Sequence, residues 1–161
     1  MVEVVEADLE NAEHVQAILQ LLNTYAQEPL ISGKPLAERV RCELIDGLQQ
    51  HPTTVVLLAY QDQQAVGIAV CFVGFSTFAA RPLLNIHDFA VLAEFRGQGI
   101  GRELLAATER KALELGCCKL TLEVDGNNFA ARRVYESFGF DSTQHVEDNG
   151  QALFFKKQLD A

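Results

Sequence analysis

Long apolar runs are missing from this 161-residue chain. None approaches the ~18 residues of a helical membrane span. The opening MVEVVEADLE also lacks the basic start and apolar middle of a secretory leader. These two absences predict a cytoplasmic protein with no membrane partner. Paired metal-binding cysteines are missing as well. Cys42, Cys71, Cys117 and Cys118 form no Cys-x-x-Cys, and His14, His51, His87 and His145 form no ligand cluster. No metal site or disulfide framework is expected. The adjacent Cys117 and Cys118 read as strand packing. Positive charge is scarce: 13 Lys and Arg stand against 22 Asp and Glu, a net charge of −9. Nucleic-acid binding calls for clustered Lys and Arg, so a nucleic-acid partner is not expected. There is no repeat, low-complexity tract or linker. Residues 1–161 read as one domain, long enough to bury a real core.

What is present is unevenly charged. Residues 1–80 hold ten acids and three bases, a balance of −7. Residues 81–161 hold twelve acids and ten bases, a balance of −2. Arg96, Arg102, Arg132 and Arg133 gather in the second half. This pattern fits an anionic ligand held by the second half and a cationic one approaching the first. A merely solvated acidic surface fits it too.

The periodicity sets the element order. EVVEA reads as a strand. Residues 12–27 place Val15, Ile18, Leu19, Leu22 and Tyr25 at helical spacing. A second helix spans roughly 36–49. TTVVLLAY, AVGIAVCFVGF and LLNIHDFAVL read as three strands, the long apolar runs as strands buried on both faces. Residues 99–115 form a helix with Ile100, Leu104, Thr108, Ala112 and Leu115 on one face, ended by Gly116. CCKLTLEV is a strand, residues 128–138 a helix ending at Gly139, and 140–159 a hairpin turning at Asn149-Gly150. The result is a mixed α/β or α+β domain that does not alternate as a doubly wound fold does.

Chemistry concentrates in FRGQGIGRELL, residues 95–105. Gly97, Gly99 and Gly101 alternate between a strand and a helix start. Free N–H groups and the helix dipole favour phosphate at such a place. The spacing fails the dinucleotide pattern G-x-G-x-x-G, because Arg102 or Leu104 stands where the last glycine belongs. No Lys-Ser or Lys-Thr follows, so the triphosphate loop fails as well.

What remains is Arg96-Gly97-Gln98-Gly99-Ile100-Gly101, an R-x-x-G-x-G run. A second pattern follows about thirty residues on. In NNFAARRVYESFGF, Asn128, Ala131, Tyr135, Gly139 and Phe140 fit N-x-x-A-x-x-x-Y-x-x-x-G-F. With these two motifs the chain resembles the GNAT superfamily of acyl-CoA-dependent N-acyltransferases, over residues 54–158 and with two N-terminal helices in place. The resemblance implies a mixed, mostly antiparallel sheet of six to seven strands flanked by about four helices. It implies acetyl-CoA as cofactor, its pyrophosphate wrapped by the backbone of Arg96 to Gly101 with Arg96 and Arg102 adding charge. Asn128 and Ala131 join that cofactor site. Homodimers are common in the family. Asn128 also stands where a helix takes an N-cap, and Tyr135 where it takes a core aromatic; both readings stay open beside these roles.

The implied reaction moves an acetyl group directly to an amine. An alkylammonium, pKa ~10.4, must first lose a proton. Tyr135 is the expected acid for the departing thiolate. The resemblance puts carbonyl donors in the backbone near Phe89, Ala90 and Val91, where the strand bulges and splays from the next. For the base, the alternation of NIHDFAV puts Asn85, His87 and Phe89 on one face and Asp88 on the other. His87, with its ordinary pKa ~6.5, and Asp88, through water, are the candidates, with Glu123 and Glu94 behind them. A buried structural role is open for both His87 and Asp88. Glu28, Asn85 and His87 are expected near the acceptor, as are His145, Glu147 and Asp148. FSTFAARPLLNIHDFAVLAEFRGQGIGRELL and ELGCCKLTLEV are similar to the diamine and polyamine (spermidine/spermine-type) branch. Here His87-Asp88 replaces the branch's Glu-Asp pair, and Gly126-Asn127 stand where it often has tryptophan. The expected acceptor is a small cationic amine or amino-acid-like metabolite. A protein N-terminus or lysine, and a non-catalytic acyl-CoA-binding module, are the alternatives.

Overall fold

The structure, a computed structural model, describes residues 1–142 and 152–159. The Asn149-Gly150 turn and the acceptor candidates His145, Glu147 and Asp148 lie outside the described residues. The chain runs β1 (Val2–Glu6), α1 (Ala12–Ala26), α2 (Glu38–Gln50), β2 (Thr54–Gln61), β3 (Gln64–Ser76) and β4 (Arg81–Val91). A single 3-10 turn, Ala93–Phe95, leads into α3 (Ile100–Glu114). Then come β5 (Lys119–Asp125), α4 (Phe129–Ser137), β6 (Asp141–Ser142) and β7 (Ala152–Gln158). This is the order read from the sequence, with the 3-10 turn added.

The strands form one sheet in the order β1-β2-β3-β4-β5-β7-β6. Every neighbouring pair is antiparallel except β4 and β5. Those two are parallel because the chain crosses over through α3 between them. The mixed, mostly antiparallel sheet with four helices is the architecture expected.

Both faces of the sheet are covered. Asn11 caps α1, accepting from the amides of Glu13 and His14 at 2.9 and 3.2 Å. The Ala17, Ile18, Leu21 and Leu22 stripe of α1 then packs on Val56, Leu58, Ile68 and Val70, together with Leu48 of α2. On the opposite face Ile100, Leu104 and Leu105 of α3 and Tyr135 of α4 pack on Leu57, Ala69, Leu84 and Leu122. Each fully buried Leu contributes ~1.5–3 kcal/mol of transfer free energy. β2 and β3 lie between the layers and are buried on both sides, which is why their apolar runs barely alternate.

Leu115 departs from the expected helical face. It is the C-cap of α3 and 39% exposed. Gly116, at φ 75°, ends the helix, and the amides of Gly116 and Cys117 close onto the carbonyls of Leu113 and Ala112. Among the described residues no helix is long and apolar enough to cross a membrane.

Candidate active site

The site begins with two irregularities in β4. Val70 lies opposite Asp88 and Cys71 opposite Ile86, so His87 is an extra residue, a bulge. The bulge breaks the expected alternation. Asp88 comes to the face shared with Val70 and α1. Phe89 moves to the other face, opposite Ala69, where its ring lies 5.8 Å from that of Tyr135. The simple two-residue period put Asn85, His87 and Phe89 together; the inserted residue shifts the phase.

The second irregularity is a splay. β4 and β5 pair only through Leu84–Ile86 and Leu120–Leu122. Beyond this point β4 continues to Val91 and β5 to Asp125 without partnering each other. Just before they part, Asn85 Nδ2 donates to Thr121 Oγ1 at 2.9 Å. Asn85 is thus a clasp between the two strands, and it does not line the cleft. The Leu92 amide donates to Val66 on β3. Alternation along the strand then points Ala90 toward β3 as well, and Phe89 and Val91 toward the opening. Of the three backbone donors expected there, Phe89 and Val91 face the cleft and Ala90 is committed to the sheet.

The opening is a cavity of about 430 Å³. Phe89, Ala90 and Val91 line one wall, and Glu123, Val124 and Asp125 the other. The glycine loop, Asn128, Ala131, Val134 and Tyr135 line it too, as do Tyr25, Glu28, Leu30 and Ile31 from the α1 end. Gly97 and Gly99 have φ of 76° and 84°, a region that costs other residues ~1–2 kcal/mol. Gly99 is the N-cap of α3 and supplies no side-chain cap. The first amides of α3 are therefore free toward the cavity. Gly101 has ordinary helical φ. A Cβ added there would sit 3.8 Å from Phe89 and Val91, within the cavity wall. Open amides, a dipole end and room beside Gly101 fit a pyrophosphate. Ile100 is 1% exposed and can offer only backbone. Gln98 stays outside the cavity, with its amide near the Glu94 carbonyl at 3.4 Å.

Arg102 reaches the cavity and lies 5.9 Å from the Phe138 ring. Arg96 does not extend toward the free amides. Its Nε donates to the Val91 carbonyl at 2.9 Å, and its Nη2 pairs with Glu28. Asn128 acts as N-cap of α4, accepting from the Ala131 amide at 3.2 Å, while also lining the cavity. The cap and the lining role coexist.

Tyr135 is 7% exposed, its ring held edge-on by Phe89, Phe140 and Phe155. Its hydroxyl has no protein partner among the described residues. Burial, and next the neighbouring Tyr25, hold its phenol well above the ordinary value, so it stays protonated. Tyr25 is pushed up to about 12 by burial, then by Asp88 and Glu28. The sequence read Tyr25 only as part of an apolar stripe; nothing local distinguishes it. Asp88 does not line the cavity. Burial raises its carboxyl above the usual range, with His87 pulling the other way. His87 does not line the cavity either: it is exposed and packs edge-on against Phe72 at 5.6 Å. Glu123 does line it, with an exposed side chain, and Glu94 does not. Among the described residues no three His, Cys, Asp or Glu gather closely enough to hold a metal ion.

The parted parallel pair and the glycine-opened start of α3 line one and the same cavity. A profile of the acetyltransferase (GNAT) family matches residues 15–140. The chain belongs to this family of acetyltransferases, enzymes that use acetyl-CoA. An uncharacterised N-acetyltransferase of Archaeoglobus fulgidus is 40% identical over 83 residues, 51% of this chain and 56% of that one. The thialysine N-epsilon-acetyltransferase of Bos taurus is 32% identical over 82 residues, 51% of this chain and 48% of its own. The chain spans about half the length of the curated relatives it matches. A crystal structure of the NatC complex bound to Gag peptide and CoA superposes at a TM-score of 0.75 over 99% of both chains. Its identity of 21% makes this a likeness of fold.

Proposed function

We propose that this protein moves an acetyl group from acetyl-CoA directly to a primary amine, that of a small cationic or amino-acid-like acceptor. The observation that carries the reading is the cleft between β4 and β5. It joins free helix amides to a buried, protonated tyrosine and an open glutamate. Acetyl-CoA supplies an acyl carbon activated as a thioester. The first amides of α3 and Arg102 hold the pyrophosphate end. The Phe89 and Val91 edge of β4 meets the pantetheine arm and the acyl carbonyl. Tyr135 keeps its proton at neutral pH and delivers it to the leaving sulfur. Glu123 takes a proton from the bound ammonium, directly or through a water, and the neutral amine left behind attacks the acyl carbon. That role passes from His87, which faces away from the cleft, to Glu123, which lines it. Asp88 influences the cleft through Tyr25 and not by contact.

One observation favours a second reading, acetylation of a peptide amine: Leu30 and Ile31 stand 48% and 41% exposed at the cavity mouth. A thiol-release assay with acetyl-CoA against diamines, amino acids, aminoglycosides and peptides separates the two. Activity with small amines is expected; activity with peptides alone overturns the small-amine reading. Acetyl-CoA at 100 times its Kd is expected to stabilise the fold by ~2.7 kcal/mol. No stabilisation and no thiol release with any acceptor overturns the whole reading.

A further inference from the structure

Arg96 holds the motif position from which a phosphate contact is expected, yet its side chain is turned elsewhere. The Nε hydrogen bond goes to Val91 on the splayed edge of β4, and Nη2 goes to Glu28, beyond the end of α1. A guanidinium is a rigid fork of donors. Here two of its directions are taken by groups from two separate parts of the cleft wall.

The segment that Glu28 belongs to is anchored at its far end by Leu36, which packs on the α1–α2 core. Its other hydrogen bonds are local. The amides of Ile31 and Gly33 donate to the Glu28 carbonyl, Ser32 Oγ donates to Ala26, and Asn23 accepts from the Leu36 amide. Among the described residues, the Arg96–Glu28 ion pair is that segment's one hydrogen bond or ion pair to the glycine-loop side of the cleft. Both arginines line the cavity, but Arg96 is committed to Val91 and Glu28, whereas among the described residues Arg102 makes no hydrogen bond or ion pair and only approaches the Phe138 ring at 5.9 Å, so its donors are open to an anion.

We propose that Arg96 is a positioning residue. It ties the acceptor-side segment 27–36 to the cofactor-side edge of β4, and leaves the pyrophosphate to the amides of the glycine loop and Arg102. This rests on the acetyl-CoA reading of the cleft. It also changes the part played by Glu28. With its charge matched by Arg96, Glu28 shapes the mouth; of the other two lining carboxylates, Asp125 accepts from the Asn127 amide and Glu123 is left open to an amine.

The test compares the full-length wild type with Arg96→Ala, Glu28→Gln and the charge-swapped pair Glu28→Arg with Arg96→Glu. Hydrogen exchange is read at the amides of Ile31, Gly33 and Leu36, and acetyl-CoA binding by calorimetry. Each single variant should exchange roughly two- to fivefold faster there, the range an exposed ion pair gives. The swapped pair should recover part of that protection. Acetyl-CoA affinity should stay within about twofold in Arg96→Ala, and fall about tenfold in Arg102→Ala. Unchanged exchange in both single variants overturns the tie. So does a tenfold or greater loss of acetyl-CoA affinity in Arg96→Ala. Exchange is read without ligand. A wild type that bound no acetyl-CoA would therefore fail the functional reading and leave the tie to be judged separately.

Discussion

β4 and β5 behave as two different structures along their length. In the lower half Leu84–Ile86 run in register with Leu120–Leu122, and Leu84 and Leu120 are both fully buried. In the upper half the same two strands part, and Phe89, Val91 and Glu123 face a cavity. The Asn85–Thr121 hydrogen bond marks the boundary. The lower half satisfies its ladder groups within the protein. The upper half leaves them for a ligand or water to satisfy, since backbone groups do not stay unpaired when buried. Stability and binding thus occupy neighbouring stretches of one strand pair, and substitutions should separate them.

The largest expected effect lies in the lower half. Leu120→Ala should cost about 2–5 kcal/mol in urea unfolding, because it opens a cavity in the packed core. Acetyl-CoA affinity of the folded fraction should be unchanged. A matching loss of affinity would mean that the two halves are not independent.

Tyr135→Phe is the converse. It keeps the aromatic packing against Phe89, Phe140 and Phe155. The transfer rate should fall about 10²-fold or more, the range for a lost general acid, with little change in Tm. An unchanged rate overturns the tyrosine's assignment.

Gly101→Ala tests the cradle. Its φ tolerates a side chain, and the added methyl meets only ordinary contacts in the empty cleft. Stability should hold or rise by up to ~1 kcal/mol. Acetyl-CoA affinity should fall about tenfold, or ~1.4 kcal/mol, when measured by calorimetry.

Asp88→Asn should give the smallest effect, and it depends on pH. The folded protein holds the Asp88 carboxyl above its ordinary range. Its neutral form therefore favours folding at low pH. That contribution is lost as pH rises from the ordinary carboxylate value through the raised one. The stability of Asp88→Asn relative to wild type should thus grow as pH rises above the ordinary carboxylate value, about 4, and level off once the raised value is passed. Denaturant titrations at several pH values check this; a gap that shrinks with rising pH contradicts the burial of Asp88.

Local pattern carried much of this protein. Helical spacing located α1 and α3, and near-continuous apolar runs located β2 and β3 between two layers. Gly97, Gly99 and Gly101 could be singled out by their alternate spacing between a strand and a helix start, and the structure adds that Gly97 and Gly99 take a left-handed φ. Tyr25 was not legible as a site residue. On a helix it is simply an aromatic in an apolar stripe, and only the packing of α1 over the bulged strand brings it beside Tyr135. The faces of His87, Asp88 and Phe89 were misread for a similar reason. Register is set between strands, and one inserted residue in β4 reverses the pattern beyond it.

The sequence by itself therefore determined the element order, the family and the place of the glycine loop, because each depends on residues close together in the chain. Tertiary structure alone decided which carboxylate opens into the cleft, where His87 points and what Arg96 holds. Glu28 and Arg96 are 68 positions apart, and Asn85 and Thr121 are 36 apart. Spacing along the chain carries no signal for such pairs; they exist only once the sheet and its two helical layers have closed around the splay.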